Sequence, residues 1–291
     1  FWHPNLKQSK SYGGIGNDTI YSDDGADIID GGADTDLLLF TGGSARVVVN
    51  LSTSSITYDT TNSLAANRVL DSVGHTDTVV NLSIENVTGG TNADTFAGSA
   101  ANNVLNGADG NDYFYASLGT DSIIGGNGAD TLDFTNLTTT AGVNVTLNTS
   151  LNPSLAFSSG GTAYTQTVTT MENFTGSSQN DTITGDGVAN VLNGGAGDDT
   201  IDGKAGIDVI NGGAGNDLFT IDFSAIDTID GGANSDTVKF NAFTLTNITS
   251  DTNFISMNSI TNIEKLDITA LGLTTANPGT EYKFTDTMIK Q

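Results

Sequence analysis

Residues 194–217 read GGAGDDTIDGKAGIDVINGGAGND. Glycine, the residue that loses most conformational freedom on ordering, alternates here with carboxylates on a fixed beat. Counting in nines from Gly194 gives GGAGDDTID, GKAGIDVIN and GGAGNDLFT; after a one-residue slip at Ile221 come DFSAIDTID and GGANSDTVK. Backwards, the same frame gives GDGVANVLN and GSSQNDTIT, so one run of seven units spans 176–239. A run of five units fills 89–133 and a run of three fills 13–39, which makes fifteen units in all. Self-similarity at a fixed period is the signature of a repeat architecture.

Two columns of the repeat carry the physics. The eighth position is Ile20, Ile29, Leu38, Phe96, Leu105, Phe114, Ile123, Leu132, Ile183, Leu192, Ile201, Ile210, Phe219, Ile229 and Val238, apolar without exception. The sixth is aspartate in thirteen units and asparagine in two, Asn103 and Asn190. One apolar residue in nine cannot line an amphipathic helix, which needs three or four in two turns. It suffices for a very short strand that points one side chain inward. Each unit therefore reads as a tight turn followed by a short strand. Two units complete one coil of a right-handed parallel solenoid, with a thin apolar core and two edges of stacked turns.

The motif GGxGxD followed by x-apolar-x resembles the nonapeptide repeat of the RTX family, and the fifteen units cover a little under half of the chain. The resemblance implies an all-β fold: a right-handed parallel β-roll, a calcium-binding β-solenoid, here interrupted by β-strand excursions. It implies that stacked turns enclose Ca2+ ions. The sixth-position carboxylate bridges one turn to the next on the same side, and turn carbonyls complete the shell. The implied metal ligands are Asp18, Asp27, Asp36, Asp94, Asp112, Asp121, Asp130, Asp181, Asp199, Asp208, Asp217, Asp227 and Asp236. Oxygen donors without nitrogen or sulfur suit calcium rather than zinc or copper. Stacking like on like needs units two apart, so the three runs offer about nine complete sites. Asn103 and Asn190 keep an oxygen but lose the charge, and are expected to be weak or empty positions. Without calcium the carboxylate columns repel each other, and the thin core buries too little to offset that and the chain entropy. The array is therefore expected to be unfolded without calcium and folded with it.

A longer period organises the runs. Each ends on Phe, at Phe40, Phe134 and Phe240. Then follow alternating stretches, ARVVVNL at 45–51 and AGVNVTL at 141–147, which read as strands with one buried face. A closing phrase returns each time, IENVTG at 84–89 and MENFTG at 171–176, and NIEKLD at 262–267 begins it again. The expected organisation is a leader segment at 1–12, a three-repeat array at 13–40, a β excursion at 41–88, a five-repeat array at 89–134, a β excursion at 135–175, a seven-repeat array at 176–240 and a C-terminal β segment at 241–291. This longer pattern resembles large RTX surface proteins and adhesins of Gram-negative bacteria. The chain starts at Phe1 without a Met, and reads as a piece of something larger.

Charge and absent motifs narrow the function. The net charge is −25, and none of the nine basic residues falls between Arg68 and Lys204. Such a chain repels phosphates, which argues against nucleic acid and anionic lipid as partners. There is no cysteine, hence no disulfide framework or thiolate metal site. No apolar run approaches a membrane span, so no direct membrane insertion is expected. HExxH and GxSxG are absent. The GxG triplets lack the third glycine and enter strands, so dinucleotide binding fails. No EF-hand loop is complete. His75 reads as a loop residue. Asp30, Asp133, Asp202 and Asp230, at the ninth position, read as solvated strand-face charges. The threonines at the seventh position (Thr19, Thr95, Thr131, Thr182, Thr200, Thr228 and Thr237) read as outward-facing β-formers.

The reading that follows is a non-enzymatic, calcium-dependent structural segment of a secreted bacterial cell-surface protein, a surface-layer subunit or an adhesin stalk, folding outside the cell. Type I secretion is implied by the resemblance. Expected partners are calcium ions and either copies of the chain in a lattice or filament, or cell-surface glycan. Two alternatives stay open: the C-terminal carrier module of a type I-secreted exoenzyme, and a carbohydrate- or surface-binding adhesin domain.

Overall fold

The computed structural model describes residues 10–21, 25–40, 45–71, 74–80, 83–147, 154–221, 227–240 and 260–267. The chain divides into two compact units. One comprises Phe1–Leu137, Thr149–Ala156 and Thr162–Met171; the other Thr138–Asn148, Phe157–Gly161 and Glu172–Gln291. Every regular element among the described residues is a β-strand.

The nine-residue beat becomes an eighteen-residue coil. In the second unit Val191 pairs with Val209, Leu192 with Ile210 and Gly195 with Gly213, all in parallel register. Successive nonapeptides therefore alternate between two sheets. One contains the strands Asn173–Thr175, Val191–Ala196, Val209–Ala214, Thr228–Ala233 and Ile260–Thr261; the other contains Ala141–Thr146, Thr182–Thr184, Thr200–Asp202, Leu218–Ile221, Thr237–Phe240 and Lys265–Asp267. The slip at Ile221 lengthens one coil by a residue. Val209 pairs with Thr228, nineteen positions on, and the register resumes in phase. All fifteen eighth-position side chains are buried, Ile20 at 7 % exposure and the rest at 2 % or less. They stack rung on rung, as in the parallel rings of Phe96 and Phe114, 5.1 Å apart. The fold is an all-β parallel roll.

In the first unit one sheet runs without interruption from Thr19–Tyr21 and Leu37–Leu39 through the closing strand Asn86–Thr88 to Val104–Asp109, Ser122–Asn127 and Thr162–Thr169. The other takes three strands of the first excursion between its arrays. Thr76–Val79 pairs in parallel with Ile28–Ala33, Arg68–Leu70 runs antiparallel to both its neighbours, and Val48–Asn50 pairs in parallel with Thr95–Ala97. The excursion continues the sheet rather than leaving it.

Three expectations are corrected here. Val47, Val48 and Val49 are all at 1 % exposure or less, so within 45–51 the stretch 47–51 is buried on both faces. The cause is a second, smaller core in which Ile56 and Leu64 pack with Val48 and Ala97 against the outer side of the sheet. Thr95, which pairs with Val48, is buried as well rather than solvent-exposed. Asp133 is also buried, not solvated: it accepts hydrogen bonds from the Tyr113 hydroxyl and from the Thr135 N–H at 2.7 Å. The stretch 141–147 alternates as expected, with Val143, Val145 and Leu147 inward. Phe40 and Phe134 are buried where their runs stop, whereas the side chain of Phe240, the leader at 1–9 and the segments 241–259 and 268–291 lie outside the described residues. His75 sits in a loop, its Nδ1 3.3 Å from the Asp71 carboxylate.

Candidate metal centre

The sixth position lies just before each strand, where the turn enters the coil. The sixth-position side chains stack into ladders along the edges of the sheets. In the second unit one ladder climbs Asp181, Asp199, Asp217 and Asp236. The N–H of each donates to the Oδ1 of the next, at 2.7, 2.8 and 2.8 Å. The opposite edge carries Asn190, Asp208 and Asp227, joined at 2.9 and 3.0 Å. In the first unit Asp94, Asp112 and Asp130 form one ladder at 2.7 Å per step. Asp18 donates to Asp36 at 2.8 Å, and Asn103 to Asp121 at 2.9 Å. The N–H of Asp27 donates to Asp77, a residue of the first excursion, at 2.9 Å. Excursion strands feed the ladder starts as well: Val47 N–H donates to Asp94 and Val143 N–H to Asp181. The structure thus brings all thirteen aspartates into edge ladders and, except for the partly exposed Asp18, buries them.

In eleven of the thirteen, all but Asp18 and Asp27, one carboxylate oxygen accepts an N–H of the ladder or of an excursion strand. The second oxygen often has no donor. The Oδ2 atoms of Asp36, Asp112, Asp199, Asp217 and Asp236 are buried without a hydrogen-bond partner. A buried carboxylate oxygen with no donor is costly unless a cation meets it. The charge state responds accordingly. Burial, reinforced by neighbouring ladder carboxylates, pushes Asp112 and Asp199 up to about 7. Burial pushes Asp121 and Asp217 up to about 6, and raises Asp94, Asp181 and Asp236.

The glycines leave room for an ion. A Cβ on Gly194 would stand 2.2 Å from Asp199 Oδ2 and 2.6 Å from the Gly212 carbonyl oxygen; on Gly212, 2.2 Å from Asp217 Oδ2 and 2.6 Å from the Gly231 carbonyl oxygen. A side chain at the first position would fill the cradle between carboxylate and carbonyl. Among the described residues no three acidic or histidine side chains converge on a point. A cation in these turns must therefore draw most of its shell from backbone carbonyls, with one or two carboxylates, a donor set that fits calcium.

The ladders also separate positions that look alike in sequence. Asp121 Oδ2 accepts from Ser117 Oγ at 2.8 Å and Gln166 Nε2 at 2.9 Å; Asp94 Oδ2 accepts from Gly90 N–H and Asp181 Oδ2 from Ser177 N–H. These oxygens have protein donors and less need of an ion. At Asn103 and Asn190 the amide Nδ2 donates to the carbonyls of Glu85 and Glu172, each at 2.8 Å, so an N–H points where a cation would otherwise meet a carbonyl. The repeat frame missed two further ladder members. Glu85 accepts from Asp36 N–H at 2.9 Å and Glu264 from Asp236 N–H at 2.8 Å, each in the place a sixth-position aspartate holds. Their signal was present in the closing phrases, where Glu precedes an apolar residue, Val87 or Leu266, by two, as the sixth-position aspartate does.

The RTX calcium-binding nonapeptide repeat, in a four-copy form, matches residues 11–44, 88–123, 116–135, 175–210, 193–220 and 224–242, together just over half of the chain. The chain belongs to this family. It carries a calcium-binding structural repeat region of the kind found in secreted proteins. No curated protein matches the chain. Among the described residues no helix is long and apolar enough to cross a membrane.

Proposed function

We propose that the chain is a calcium-dependent structural segment of a bacterial cell-surface protein, a subunit of a surface layer or the stalk of an adhesin. The observation that carries this reading is the set of ladders: buried aspartates in stacked turns, with donor-less oxygens held against backbone carbonyls. The thirteen sixth-position aspartates are its metal ligands and about nine ions its complement. Ion binding outside the cell, where calcium is plentiful, drives folding, because a site absent from the unfolded chain turns binding energy into folding energy. The first excursion supports a mechanical role, since it threads three strands into the sheet between two arrays and so maintains the hydrogen-bonded path.

The test is assembly. The folded, calcium-loaded chain is followed by light scattering and electron microscopy as its concentration is raised. Growth of sheets or filaments with calcium, reversed by chelator, is expected of a surface-layer subunit; a monodisperse, elongated, chelator-sensitive monomer is expected of a stalk. A compact particle whose hydrodynamic radius is indifferent to calcium would contradict both.

A further inference from the structure

Three phrases share a pattern that the nonapeptide frame does not contain: Ser83-Ile84-Glu85, Thr170-Met171-Glu172 and Asn262-Ile263-Glu264. Each is a shortened turn. In a regular coil the carbonyl facing a first-position glycine belongs to the first-position glycine one coil on, as Gly212 faces Gly194. Here a Cβ on Gly31 would lie 2.0 Å from the Ser83 carbonyl oxygen, on Gly125 1.9 Å from that of Thr170, and on Gly231 2.1 Å from that of Asn262. The polar residue also braces the coil before it: Ser83 Oγ accepts from Gly31 N–H at 2.8 Å and Thr170 Oγ1 from Gly126 N–H at 2.7 Å. The apolar residue is buried in all three. The glutamate follows at once, and a full turn of the repeat is compressed to one residue between glycine position and carboxylate.

Glu85 and Glu264 occupy ladder positions. Asn86 pairs with Leu37 and Lys265 with Thr237, so each glutamate stands in register with the last aspartate of its ladder, Asp36 or Asp236. Each accepts that aspartate's N–H. Both aspartates are at 0 % exposure, and the Oδ2 of each is buried without a hydrogen-bond partner. Those oxygens lie 2.5 and 2.7 Å from where a Cβ of Gly31 or Gly231 would be, beside the carbonyl of the shortened turn. A hydrogen-bonded cap alone would leave these two buried oxygens without a donor where the nonapeptide runs stop, even though past Glu85 the same edge continues to Asn103.

We propose that Glu85 and Glu264 are calcium ligands, each closing its array with a terminal cation site shared with Asp36 or Asp236 and with the carbonyl of Ser83 or Asn262. The shortened turn brings fewer carbonyls than a full one, so water completes the shell and the terminal ions are held more weakly than those inside the array. This rests on the reading of the ladders as calcium columns.

Calcium stoichiometry, read by isothermal titration calorimetry and native mass spectrometry, tests it on the wild-type chain, Glu85→Gln, Glu264→Gln and the double variant. Glutamine keeps an acceptor for the aspartate N–H and removes only the charge. Each single variant is expected to lose one ion from the weakest class and the double variant two, with unchanged β circular dichroism at saturating calcium. An unchanged ion count in both variants overturns the cap proposal and leaves the array reading standing; a wild-type chain that binds no calcium overturns the array reading itself. Should a glutamine variant not fold in saturating calcium, Glu85→Asp and Glu264→Asp decide. Recovery of fold and ion count supports a charged ligand, and equal failure shows that restoring the charge does not restore the site, which overturns the proposal.

Discussion

At Gly213 the chain has φ +106°, and a Cβ there would lie 2.1 Å from the Gly195 carbonyl oxygen of the coil before. Both facts demand glycine: the first because L side chains avoid that backbone region, the second because the turns nest too closely for a methyl group. Gly187 has neither constraint, with open space around its Cβ position. Gly213→Ala is therefore expected to cost more than about 1 kcal/mol, and Gly187→Ala to be neutral or slightly stabilising. Thermal unfolding of the two variants in saturating calcium checks this; equal melting temperatures would show that the turns are looser than the geometry says. The same contrast explains why glycine count alone was a poor guide. Its beat in the sequence marks turns, but only the stacking distance says which glycines are indispensable.

At the scale of a ladder, the carboxylates set the pH response of the calcium-free coil. Asp112 and Asp199 are pushed up to about 7 by burial and by their ladder neighbours, against about 3.9 in an unfolded chain. Between these values the folded coil holds more protons than the unfolded chain, so its stability falls as pH rises and is lowest above pH 7. In excess chelator, acidification from pH 8 towards pH 5 is expected to increase β circular dichroism, protons standing in for the missing cations; a loss of signal over that range would refute the burial of bare carboxylates. The columns behind this argument were legible in sequence, because one apolar and one acidic residue recur in fixed phase. The ends of the columns were not. Glu85 and Glu264 escape a search for Gly-Gly-x-Gly-x-Asp because their turns are compressed, and Asp121 looks like its neighbours until Gln166, forty-five residues on, is brought to its side.

Over the whole chain, the array fold follows from local periodicity, while the excursions depend on pairings that no local pattern encodes. The stretch 45–51 alternates like a strand with one wet face, yet from Val47 on it is dry on both, because residues 52–64 return over it and bring Ile56 and Leu64 onto Val48. Arg68–Leu70 runs against its neighbours in an otherwise parallel sheet. Neither pairing leaves a repeat in the sequence. Where the repeat rules, each coil contacts only the coils beside it, as in other solenoids. A core of one inward residue per nine makes every rung depend on its edges. On the proposed function, the ions make the fold. Circular dichroism of the chain in chelator, titrated with calcium from micromolar to millimolar and with magnesium as control, tests this most directly. A cooperative, calcium-specific gain of β signal is expected, with a midpoint near the ~10⁻⁴–10⁻³ M of extracellular calcium modules. A chain at neutral pH that is already fully folded in excess chelator, and unchanged by calcium, would contradict it.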